Sequence, residues 1–138
     1  MDTDAFVLEL ADRFGRDFSH EHGWQNAPCQ ADFDRWLSGA TGNQITDRFN
    51  DLGTVLARRY HSGEYHFLLC DWVINRAESE LMERVVSDRS FEYPQLFEEI
   101  YRAFDAGEWD HHGRSEQPII DYTDPLIAAI VARLGQSD

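Results

Sequence analysis

Histidines and carboxylates are the side chains of this sequence best suited to chemistry, and their grouping raises metal binding first. His20, Glu21 and His22 are adjacent, as are Asp110, His111 and His112, and His61, Glu64 and His66 form a third group. Imidazole with carboxylate is a ligand set for zinc or another divalent ion. The spacing argues against convergence on one ion. No HExxH occurs, no two histidines stand four apart on a helix, and His61 and His66 straddle Gly63. We therefore expect solvated loop histidines, no metal and no cofactor. Nucleophilic chemistry has even less support: there is no GxSxG elbow, no phosphate-cradling glycine loop and no dinucleotide fingerprint. Cys70 has the apolar neighbours of a buried, inert thiol. No catalytic residue is assigned, and the chain is expected not to be an enzyme.

Two polar groupings point instead to structure or to binding. Asp71 and Asn75 stand four apart in a helical run, with Glu78 one turn further, so all three project from one side. They are the solvent-facing strip of that helix, a buried pair whose satisfied hydrogen bonds fix the packing register, or residues with a direct role in binding. Glu98, Glu99, Asp105, Glu108 and Asp110 fall close together, interleaved with Tyr101, Phe104 and Trp109. Trp109 lies in a polar stretch, where an indole either folds back under the loop or meets a partner. An acidic rim with an aromatic anchor has the composition of a surface that captures a basic protein. The candidate partner-binding residues are Asp105, Glu108, Trp109 and Asp110, and Asp71 and Asn75 are the candidate structural pair.

These residues sit in a chain of 138 residues with 26 Asp and Glu against 12 Lys and Arg, a net charge of −14. A hydrophobic content of 42% separates it from a disordered acidic tail. Such a charge favours cationic partners and disfavours nucleic acid. The length suits a single domain. Cys29 and Cys70, with no CxxC spacing, are expected to be reduced and mostly buried. The sequence shows neither a signal peptide nor an apolar run long enough to span a bilayer, which predicts a cytoplasmic protein with no membrane partner.

Helical periodicity runs through the whole sequence. Val7, Leu10, Ala11, Phe14 and Phe18 form one apolar face, with a loop from His20 to Gln30 after it. Phe33, Trp36 and Leu37 fit a short helix closed by Gly39. Ile45, Phe49, Leu52, Leu56 and Tyr60 form a third, ended by Gly63, with Gly53 marking a close contact inside it. The run Glu64–Val86 is apolar over more than half its circumference and reads as the central helix, with Trp72 in its core. Pro94 opens a helix buried through Leu96, Phe97, Ile100, Tyr101 and Phe104. Residues 107–122 read as an exposed loop, and Thr123 or Asp124 caps a last helix with Pro125 in its first turn and Gly135 at its end. No period-two strand pattern occurs. The expected fold is an all-α, single-domain antiparallel bundle of five to six helices.

The segments CDWVIN (Cys70–Asn75), FEEIYRAFDAGEWDH (Phe97–His111) and YTDPLIAAIV (Tyr122–Val131) resemble the C-terminal part of small acidic immunity proteins of bacterial polymorphic toxin systems. The resemblance covers roughly residues 60–134. It implies a non-catalytic cytoplasmic protein that binds and neutralises one cognate toxin, and the charge independently points to a basic toxin. The competing readings are a small metal-assisted hydrolase built on the histidine groups, and an acidic adaptor or nucleic-acid mimic with another basic partner.

Overall fold

A computed structural model describes residues 2–17 and 27–136. The described residues form six α-helices and no strand: α1 (Thr3–Asp17), α2 (Gln30–Trp36), α3 (Asn43–His61), α4 (Phe67–Ser87), α5 (Gln95–Asp105) and α6 (Asp124–Gln136). None of them is long and apolar enough to cross a membrane. The all-helical architecture follows from the 3.6-residue repeat of buried side chains. Phe6, Val7, Leu10 and Phe14 bury one face of α1, and Ile45, Phe49, Leu52 and Leu56 bury one face of α3.

The core is organised around aromatic contacts. Trp36, fully buried at the end of α2, stacks on Phe6 with ring centroids 4.9 Å apart, and Phe33 and Phe49 meet it edge-on. Its indole nitrogen donates to Thr3 Oγ1 at 3.2 Å, so the ring is buried without an orphaned donor. Phe49 continues the contact into Phe97 of α5. Gly53 lets α3 and α5 approach closely. A Cβ there would lie 3.2 Å from Ile100 Cδ1 and 3.4 Å from Phe97 Cα, the close contact that its place inside a helix suggested. Asn50 Oδ1 accepts from the Phe97 backbone N–H at 3.0 Å, so α3 also satisfies an open donor in the first turn of α5.

Several expectations change. α4 begins at Phe67, not Glu64, because the His66 imidazole accepts from the Leu69 N–H and caps the helix, while Glu64 turns back to pair with Arg59. α4 shares the centre with α3: α3 lies against α1, α4, α5 and α6, and α4 lies against α1, α2, α3 and α5, though α4 also exposes Leu68, Met82 and Val86, the last at 82%. Trp72 is only half-buried, against Phe14 at 5.0 Å. Of the two free thiols Cys70 alone is buried, and burial pushes it up to about 12; Cys29 is exposed at the start of α2. α6 is not capped by Thr123 or Asp124. It continues from a π-helical turn, Ile119–Thr123, and runs past Gly135 to Gln136.

Candidate functional site

Asp105 is the last residue of α5, and the chain leaves the helix through Ala106 and Gly107. Gly107 is buried where three elements meet. A Cβ on it would lie 2.4 Å from Thr123 Oγ1, 3.0 Å from Phe67 and 3.2 Å from Ile119. Thr123 Oγ1 in turn donates to the Ala103 carbonyl at 2.7 Å, one of the carbonyls left open at the end of α5. The residues after Gly107 are thereby held across the start of α4. The expected exposed loop is partly buried for this reason, with Ser115 buried and donating to Asp121 at 2.5 Å.

This placement joins the two polar groupings. Asn75 Nδ2 donates to Glu108 Oε1 at 3.3 Å and to the Asp71 backbone carbonyl at 2.8 Å. Asp71 and Asn75 are neither a solvent strip nor a buried pair of their own; both are half-buried along the α4–α5 seam, facing Glu108. Glu108 is pushed up to about 8, first by loss of hydration at its carboxyl and then by Asp105 and Asp71 within hydrogen-bonding reach. Asp71 is raised too, by burial first and against the help of Glu108 and Asn75. Its Oδ1 is fully buried and has no N–H or O–H partner. Further along the seam Glu78 is raised by burial and then by Glu98, and its Oε2 is likewise buried without a donor. Asp110 is exposed, and the contacts that join Asp105, Glu108 and Asp71 do not extend to it.

Trp109 does not fold under the loop. It is 45% exposed, and its ring stacks on His111 at 4.2 Å, which lies against Tyr122 at 3.9 Å, while His112 meets it edge-on. His111 Nε2 donates to the Ala106 carbonyl at 2.7 Å and fixes the middle of the stack to the end of α5. His111 and His112 both take positive φ, 53° and 62°, an unfavourable backbone for residues with a Cβ, and the packed rings hold it there. Tyr122 was not singled out from the sequence. Its place next to the Thr-Asp-Pro stretch gave no sign of a ring partner 11 positions earlier.

The histidine groups find other employment. His111 is stacked and hydrogen-bonded, and His66 Nδ1 caps α4. His20, Glu21 and His22 lie outside the described residues. Among the described residues no group of three His, Cys, Asp or Glu side chains is placed to share an ion. A concavity between the start of α1 and α3 is lined by Arg48, Arg58 and Arg59 together with Asp2, Asp4 and Asp51. Its charges answer one another, as where Arg59 pairs with Asp4, so it has no strong preference for either sign. Comparison with family models, with curated proteins and with solved structures finds no match to this chain.

Proposed function

We propose that this protein is a non-catalytic inhibitor of the immunity type, a single cytoplasmic domain that binds and neutralises a cognate basic toxin domain. The observation that carries the reading is the exposed Trp109 indole, held rigid by His111 and Tyr122 beside Asp105, Glu108 and Asp110. A preorganised aromatic ring loses little freedom on binding, and acidic neighbours suit a basic partner. The three segments that carry the family resemblance also come together at this face. Asn75 of the first meets Glu108 of the second, and Tyr122 of the third meets His111. The apolar residues of these segments, such as Val73, Phe97 and Ile127, build the core, and their polar and aromatic residues supply this exposed face.

The acidic field speeds encounter and the indole prolongs the complex. Association is expected to slow about tenfold or more between low and high ionic strength. Replacing Asp105, Glu108 and Asp110 by Asn, Gln and Asn lowers the association rate, chiefly through the two aspartates, because Glu108 carries little charge at neutral pH. Trp109→Ala speeds dissociation instead. The experiment is co-expression with the toxin encoded beside this gene, followed by binding kinetics on the purified pair. Equal killing with and without this protein refutes the immunity reading. Full protection by a chain carrying all four substitutions places the interface elsewhere.

A further inference from the structure

Asp71 on α4 and Asp105 at the end of α5 each bring a carboxyl group within hydrogen-bonding reach of Glu108, and the Asn75 amide donates to Glu108 Oε1. No Lys or Arg among the described residues pairs with any of the three, and Arg102, the nearest base on α5, is engaged with Glu98. The carbonyl end of α5 adds negative partial charge at the same point. Carboxyl groups at hydrogen-bonding distance do not all ionise; one keeps a proton and donates it to its neighbour. Asp71 Oδ1, buried and lacking a donor, is an acceptor that such a proton can serve. We propose that Glu108 and Asp71 share one proton, that this proton latches Glu108 and the neighbouring exposed Trp109 to α4, and that its loss loosens this latch while the Gly107 and His111 anchors of the loop remain. The latch belongs to the free protein and does not rest on the immunity reading.

Other groups facing the cluster set its range. On α4 these are the buried Cys70 thiol and, further along, Glu78; on α5 Tyr101 faces Asp105 and Glu108. The loop itself carries Asp110, His111, His112 and Arg114, and the π turn carries Asp121 and Tyr122. Burial and the two neighbouring carboxyls place the release near pH 8, and water along the exposed flank of Glu108 draws it somewhat lower. The folded protein then keeps a proton that the unfolded chain gives up at the ordinary value of 4.5. The latch's contribution to stability is therefore full below that value, declines as pH rises towards about 8, and is gone above it.

Carboxyl-carbon and indole N–H resonances of the full chain, followed by NMR from acid to mildly alkaline pH, test this directly. The Glu108 carboxyl should titrate roughly two units or more above an ordinary glutamate, and the Trp109 indole signal should move with the same midpoint. In Glu108→Gln, whose amide donates in place of the proton, Trp109 should hold its low-pH position throughout. Asp71→Asn should bring the Glu108 midpoint down by roughly one unit or more. Glu108 titrating in the ordinary range overturns the proposal, as does a Trp109 signal that stays still while Glu108 ionises. A Trp109 transition that survives in Glu108→Gln belongs to His111 or His112 and overturns it equally. The wild-type titration decides the matter alone if a variant fails to fold.

Discussion

Trp36 and Trp72 are the same residue type in apolar helical surroundings, yet the first is fully buried among Phe6, Phe33 and Phe49 and the second rests half-exposed on Phe14. Trp36→Ala should cost about 3–5 kcal/mol, with a cavity that rings on three sides cannot close. Trp72→Ala should cost about 1–2 kcal/mol, because solvent already reaches part of the site. Urea denaturation of the two variants checks the order, and a larger loss at Trp72 would mean that its ring is the better enclosed of the two. Periodicity identified both tryptophans as inward-facing but could not rank them, since the ranking depends on which neighbouring helix covers each ring. Asp32 was invisible for the same reason. It is buried at the start of α2, where it accepts from Cys29 N–H at 2.9 Å and from both guanidinium nitrogens of Arg13, which hold it down at about 2. A depressed carboxyl adds stability above its ordinary value of 3.8, and this is lost as pH falls through about 2. Arg13→Met should cost about 1–3 kcal/mol at neutral pH and flatten stability between pH 4 and 2, measured by denaturation across that range.

At the scale of elements, helix existence was written in the apolar spacing, and boundaries went wrong where a side chain from outside the repeat intervened. The His66 ring replaces Glu64 at the start of α4, and Thr123 bonds to Ala103 on α5 instead of capping α6. Neither contact has a periodic signature: the first is a local cap from an imidazole, and the second joins residues across a loop. The π turn at Ile119–Thr123 has a similar origin. It widens the helix where Thr123 and Ile119 must close over Gly107. The candidate site was legible as a composition, an indole among acids, but its geometry was not. Nothing in the sequence shows that Glu108 reaches back to Asn75, or that His111 sits between two aromatic rings. Gly107 is the residue that makes both possible. Gly107→Ala should cost about 1–3 kcal/mol through the clash with Thr123 and Phe67. It should also move the Trp109 indole resonance, whereas Gly63→Ala, strained but remote from this face, should leave that signal in place. An unshifted Trp109 in Gly107→Ala would mean that the aromatic stack does not depend on how α5 ends.

For the molecule as a whole, the distribution of charge matters more than its sum. All 12 basic side chains are arginines, and many are committed to ties between helices. Arg13 holds Asp32 and Arg35 holds Glu9 between α1 and α2, Arg84 of α4 holds Asp34 of α2, and Arg133 of α6 holds Glu99 of α5. Bases used this way leave the acidic excess on the rest of the surface, including the end of α5. Salt then acts in two opposing directions. It weakens the exposed ion pairs, each worth about 0–1 kcal/mol, and it screens repulsion among unpaired carboxylates over a range that shrinks from about 30 Å at 0.01 M to about 8 Å at 0.15 M. The pairs are short contacts that screening hardly reaches, whereas the repulsion is summed over the longer distances it removes. Repulsion should therefore dominate, and the melting temperature should rise by several degrees between 0.01 M and 0.3 M sodium chloride. Replacing Asp105 and Asp110 by asparagine should raise the low-salt melting temperature and shrink the increment that salt adds. An acidic surface destabilises the free protein in this way, and a melting temperature that stays flat or falls with salt would show that the acidic excess is not a strain on the fold.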